Sequence, residues 1–346
     1  MSLSIVEGPY LRDILDQPRA LRETHRRLEV PAGLEAVRRR LAEDGYRRVV
    51  LTAMGGSFHG LWPLHLRLLE QGRPSLMVET SELLHYQRGL LGKQTLIVVC
   101  SQSGRSVEAV RALDERDGAT VVVVTNTAES PLSRGADATI LTHAGEEATV
   151  SCKTWVAAQL ALHWLGAALG GEDLEATRAA LGTAEGAAAA YLEGWRGHVE
   201  GFASELAETR CVFVVGRGPS LAAAGTGGLI LKESTHRPAE GMSSAAFRHG
   251  PIEILGGSVF VLVYAGPART RSLNERLVAD VRAAGARAGL VSPDAEPPGL
   301  RLAGLTEPTR PALELLPVEM MTLALAAQDG REAGRFEVAG KITTSE

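Results

Sequence analysis

The chain has 346 residues, 45% of them apolar but only 4% aromatic, with 38 glycines. Lys and Arg number 36 against 41 Asp and Glu. The formal charge of −5 excludes the basic footprint of a non-specific nucleic-acid binder, and the apolar content excludes a disordered chain. The length predicts two domains whose cores are packed from Val, Leu, Ile and Ala.

The N-terminal stretch carries charges throughout and has no apolar signal-peptide segment, and no window has the continuous apolar run of a membrane span. Cys100, Cys152 and Cys211 are scattered and form no CxxC pair, so neither a disulfide framework nor a zinc site is expected. A cytoplasmic protein without metal, cofactor, membrane or nucleic-acid partner is the expectation. Tyr10–Arg27 reads as one helix whose face of Leu11, Ile14, Leu15, Leu21 and Leu28 must dock on its own chain or a partner.

Continuous β-branched runs then recur at Arg48–Thr52, Thr95–Cys100, Thr120–Thr125, Cys211–Val215 and Val259–Tyr264. Such runs mark strands buried on both faces. Their alternation with helical patterns predicts an α/β fold of doubly wound parallel sheets. VVLTAMGGS ends at Ser57 and CVFVVGRGPS at Ser220, 163 residues later, and the same offset carries Leu96–Cys100 onto Val259–Val263. The chain is therefore read as two copies of one domain. The expected plan is an N-terminal helix over 1–29, a first domain over 30–170, connecting helices over 171–207, a second domain over 208–335 and a tail over 336–346.

The chemistry-bearing segments lie after these strands. Ala53–His59 is a small-residue turn suited to close ligand approach. Cys100–Ser106 gathers Ser101, Gln102, Ser103 and Ser106 before a helix. Hydroxyls and backbone amides so crowded suit a phosphate dianion, whereas helix capping needs only one or two of them. In the segment from Ala144 to Thr154, Thr149 and Ser151 either cap the next helix or line the pocket. Glu146 and Glu147 there suit a wall or a dimer contact, because aimed at phosphate they would repel it. In the second copy the loop equivalent to 101–106 has lost its hydroxyls, but Leu231–His236 and Ala246–Pro251 bring a carboxylate and an imidazole, natural proton carriers.

These motifs resemble the sugar isomerase (SIS) domain family over nearly the whole chain. They are most similar to the tandem-SIS isomerase half of glutamine–fructose-6-phosphate aminotransferase and its stand-alone relatives. SQSGRS is the most specific motif, supported by KES, HGP and the carboxyl-terminal GKITTSE. The resemblance implies a homodimer with the active site near the subunit contact. Its phosphosugar site matches Ser57, Ser101, Gln102, Ser103 and Ser106, and Ser151 joins these as a substrate-binding candidate. Its catalytic glutamate matches Glu233, and its ring-opening histidine, which reaches into the neighbouring subunit, matches His249. Its C-terminal lysine and final glutamate match Lys341 and Glu346. Two departures stand out: the family lysine three residues before the glutamate is Ile230 here, and the segment before Lys153 is one residue short. No glutaminase domain is expected ahead of the repeat, so glutamine-dependent amination is not expected of this chain.

The activity so implied is isomerisation or deamination of a 6-phosphorylated hexose or hexosamine. Phosphate docks on the serine loop, His249 opens the ring, Glu233 moves a proton between C1 and C2, and Lys341 offsets the developing oxyanion. The competing readings are a non-catalytic phosphosugar sensor and a fructosamine-6-phosphate deglycase.

Overall fold

The computed structural model describes residues 3–338, 340, 341 and 343; Glu346 lies outside them. Strands β1 (Arg48–Ala53), β2 (Ser75–Glu79), β3 (Thr95–Cys100), β4 (Thr120–Thr125) and β5 (Ala138–Leu141) form a parallel sheet in the order β2-β1-β3-β4-β5. Strands β6 (Cys211–Gly216), β7 (Ala239–Ser243), β8 (Val259–Tyr264) and β9 (Arg287–Val291) form a second, in the order β7-β6-β8-β9. The chain is thus an α/β protein with two parallel sheets. β1 and β6 stand 163 residues apart, but Arg48 pairs with Thr95 whereas Cys211 pairs with Val259, so the second crossover is one residue longer.

Interior strands feed two cores at once. Val49, Leu51, Leu96, Val98, Val212, Val214, Phe260 and Leu262 enter one core common to both sheets, while Val50, Ile97 and Val99 pack on the far face of the first sheet. Phe213, Val215, Val261 and Val263 do the same for the second. The common core is filled from the helices between the sheets, above all α5 (Lys153–Gly170) and α9 (Leu316–Gln328).

The N-terminal segment is not one helix. It breaks into α1 (Pro9–Leu15) and α2 (Gln17–Arg27), with Asp16 between them. Pro18 is the cause: it has no N–H to give to the Ile14 carbonyl, and its ring crowds that oxygen. The break leaves Leu15 at 38% exposure, while Leu11, Ile14, Leu21 and Leu28 are buried. The segment docks on its own chain, where α2 packs on α5 and on α6 (Leu174–Glu193). Lys153, buried at the start of α5, pins it by ion pairs of 2.9 Å to both Asp13 and Asp16. Helix α7 (Trp195–Glu205) completes the connection to the second sheet.

In both sheets the strand order reverses beside the first strand, and there the loops after the first and third strands part to leave a crevice. The remaining helices that matter sit at this edge: α3 (Gly55–His59), α4 (Val107–Asp114) and α8 (Leu221–Thr235). α3 and α8 join the two halves. The Gly56 carbonyl accepts hydrogen bonds from Trp155 Nε1 at 2.9 Å and from Thr226 Oγ1 at 3.2 Å.

Candidate functional site

The loop between β3 and α4 is fixed from below. Ser101 N–H donates to the Val124 carbonyl, and the Gln102 carbonyl accepts from Asn126 N–H (both 3.0 Å) and from Thr125 Oγ1 at 3.2 Å. Gly104 turns the chain at φ +60°, and a β-carbon there would lie 2.1 Å from Ser130 Oγ, so no other residue fits. Ser106 precedes the first turn of α4 yet makes no side-chain cap; its Oγ lies 3.2 Å from Ser101 Oγ instead. Capping therefore does not account for these hydroxyls. By contrast, Ser130 forms a reciprocal capping box with Ser133. Ser101, Gln102, Ser103 and Ser106 line a cavity of about 780 Å³, together with Ser57 after β1 and Ser151 before α5.

Helix α8 forms the opposite wall. Thr226, Leu229, Ile230 and Glu233 recur at helical spacing, so one face of α8 meets the cavity. The glutamate is half-buried, has no hydrogen-bond partner among the described residues, and has its carboxyl pushed up to about 7 by burial, against a lowering by Lys232. Ile230, where the family places a lysine, is buried in the common core and offers only an apolar wall. His236 ends the helix and also lines the cavity.

The third wall joins the segment before α5 to the tail. Glu147 is buried, and its Oε1 accepts from the N–H groups of Cys152 (2.9 Å) and Thr154 (3.0 Å), while Oε2 accepts from Thr154 Oγ1 at 2.6 Å. Glu147 thus caps α5 from a distance, which replaces the wall or dimer role expected of it. With that duty filled, Thr149 and Ser151 line the cavity, and Ser151 Oγ lies 3.1 Å from Thr154 Oγ1. The tail then crosses the cavity. Lys341 donates to the Glu147 carbonyl and pairs with its carboxylate at 3.2 Å, so much of its charge is compensated before any substrate arrives.

The structure therefore gathers Ser57, Ser101, Gln102, Ser103, Ser106, Ser151, Glu233 and Lys341 around one space. His249 is not among them: it follows the short helix Ser244–Arg248, exposed and away from this cavity. Sequence reasoning missed Thr226 and Leu229, which lie 7 and 4 residues before Glu233 and share its helical stripe. It also missed Glu108, His236 and the tail residues Phe336, Glu337 and Val338. Among the described residues no cluster of His, Cys, Asp and Glu could hold a metal ion, and no helix is long and apolar enough to cross a membrane.

Comparison with known proteins bears on this arrangement. Residues 45–168, which hold the first sheet and the serine loop, match the SIS domain family. The chain carries a SIS domain. It is homologous to the isomerase half of glutamine–fructose-6-phosphate aminotransferase, with 27% identity to the Pyrococcus horikoshii protein over 97% of this chain and 57% of that one. The chain therefore spans a little over half the length of such curated relatives. The fold around the SIS domain matches the C-terminal domain of the Francisella tularensis glucosamine–fructose-6-phosphate aminotransferase. The TM-score is 0.83, with 18% identity, over 95% of this chain and 98% of that one. A proposed phosphosugar isomerase from Silicibacter pomeroyi superimposes with a TM-score of 0.77 and 26% identity, over 94% of this chain and 99% of the other.

Proposed function

We propose that this chain is an enzyme acting on a 6-phosphorylated sugar, with an amino-sugar phosphate the favoured substrate. One observation carries the reading. A half-buried carboxyl poised at about 7, Glu233, faces the same cavity as a loop whose hydroxyls are not consumed by capping. The two features complement each other. A loop of Ser101, Gln102, Ser103 and Ser106 can donate several hydrogen bonds to a phosphate, and a carboxylate near neutrality can both take and return a proton. Phosphate on the loop leaves the sugar's C1–C2 end for α8. Glu233 then removes a proton from C2 of the open-chain aldehyde and returns it at C1, through an enolamine or enediol, which leaves an imine at C2 of an amino sugar or a ketone at C2 of a plain sugar. With an amino sugar, addition of water and loss of ammonia give the ketose phosphate; with a plain sugar the outcome is aldose–ketose exchange.

Two features refine the proposal. Ile230 removes the family lysine from beside the reacting carbons, so the proton transfer rests on Glu233. Lys341 has two of its contacts on Glu147, so its part is to hold the tail over the cavity as well as to bring positive charge to it. A homodimer in which a second copy lends His249 belongs to this reading through the family resemblance. The domain limits at residues 30, 171 and 208 are likewise proposed.

The test is direct. Incubation with glucosamine-6-phosphate is expected to release ammonia and fructose-6-phosphate in equal amounts. The loss of the lysine at Ile230 favours a second reading, a sensor that binds without turnover. Thermal stabilisation by the sugar phosphate with no product would establish the sensor and overturn the enzyme.

A further inference from the structure

The cavity holds a histidine that the mechanism above does not use. His236 follows Glu233 by three residues, about one helical turn, and both line the same space. It occupies the C-cap of α8 with left-handed backbone, φ +56°, a place that glycine fills most easily. Its Nδ1 lies 3.6 Å from the Glu337 carboxylate on the tail, and Glu337 is itself held by Arg331 at 2.6 Å. The other ring nitrogen, Nε2, has no partner among the described residues. The Glu337 carboxylate lies beside Nδ1, beyond hydrogen-bond distance, and would attract the ring when it is protonated, while Nε2 is left for a ligand. Glu233 and Lys232 of the same helix line the cavity with it, and Arg331, which holds Glu337, also donates to the Thr235 carbonyl next to it at 3.4 Å.

We infer that His236 is a specificity-determining residue, whose Nε2 hydrogen-bonds a sugar hydroxyl next to the reacting carbons while the Glu337 carboxylate flanks its other ring nitrogen. The inference rests on the phosphosugar reading and deepens it. Glu233 is placed at C1–C2, so a group one turn away on the same helix meets the hydroxyl at C1 or C3. The tail is held at two points of the cavity lining, Glu337 by Arg331 and Lys341 by Glu147, and the His236 end selects the sugar.

Binding of open-chain 6-phosphorylated alditols tests this, with His236→Asn as the variant because asparagine tolerates left-handed backbone. Calorimetry is expected to show about tenfold weaker binding of the fully hydroxylated ligand by H236N. An analogue lacking the hydroxyl at C1 or at C3 is expected to bind wild type and H236N alike. Glu337→Gln should give a smaller loss of the same pattern. Equal weakening for every ligand would show a merely structural role, and unchanged affinity for all would show no contact; either overturns the inference. Wild-type protein that binds none of these phosphates overturns the phosphosugar reading and this assignment together. Binding by the wild type without turnover of any sugar phosphate overturns only the enzyme reading and leaves the hydroxyl contact to be judged by the same analogues.

Discussion

Glu233 shows how one side chain's surroundings prescribe its chemistry. Burial disfavours its charged form and Lys232 only partly offsets this, so the carboxyl titrates near 7 rather than near 4.5. Proton abstraction needs the carboxylate, so kcat/KM for the amino-sugar phosphate should rise with pH through about 7 and level off above it. A pH–rate profile flat between about 5.5 and 8.5 would contradict the assignment. Glu233→Gln keeps shape and hydrogen bonding but cannot carry the proton. Turnover is expected to fall by at least a hundredfold, roughly the scale of general acid–base catalysis, while calorimetric affinity stays within a few-fold. Part of this site was legible from residue types alone: crowded hydroxyls after a buried strand, and a glutamate on a helix. His236 was not, because nothing local distinguishes a histidine ending a helix at a cavity from one ending it in solvent. Glu147 misled for a related reason. Its partners, Thr154 and Lys341, lie 7 and 194 residues away, and only the fold brings them to it.

Among elements, the strands legible in the sequence were the interior ones. β1, β3, β4, β6 and β8 are buried on both faces and write themselves as unbroken apolar runs. The edge strands did not. β2 leaves Leu76 at 48% exposure, and β7 reads AEGMS, with no apolar run to find. Helix α8 hides its reason for three glycines in the same way. A β-carbon on Gly228 would lie 2.2 Å from the backbone nitrogen of Gly241 in β7, and one on Gly225 would lie 2.3 Å from the His59 ring. Backbone cannot yield where a side chain can. Gly228→Ala should therefore lower the melting temperature by several degrees more than Gly225→Ala, measured in parallel thermal melts. The capping carboxylate gives a further expectation. Glu147→Ala leaves the Cys152 and Thr154 N–H groups and the Lys341 ammonium without it, and should cost about 2–3 kcal/mol in denaturant unfolding.

At the scale of the molecule, the common core carries acids that the site does not use. Glu319 is buried, accepts from Gln17 Nε2 at 2.7 Å and has its carboxyl pushed up to about 8 by burial. Glu314, held by Ser220 at 3.0 Å and Arg310 at 3.2 Å, is pushed up to about 7 for the same reason. The folded protein keeps these protons where the unfolded chain releases them near 4.5. The contribution of these two acids to stability therefore declines as pH rises from about 4.5 to 8 and levels off above. Glu319→Gln should flatten that decline, as read from melting temperatures across the range; an unchanged slope would argue against it. The common core has one more consequence. Because Val49 and Leu51 of one sheet and Val212 and Val214 of the other drain into a single apolar body, neither sheet can lose its packing without exposing its neighbour's. A scanning calorimeter should accordingly record one endotherm, with matching van't Hoff and calorimetric enthalpies, from a chain whose strands divide into two sheets.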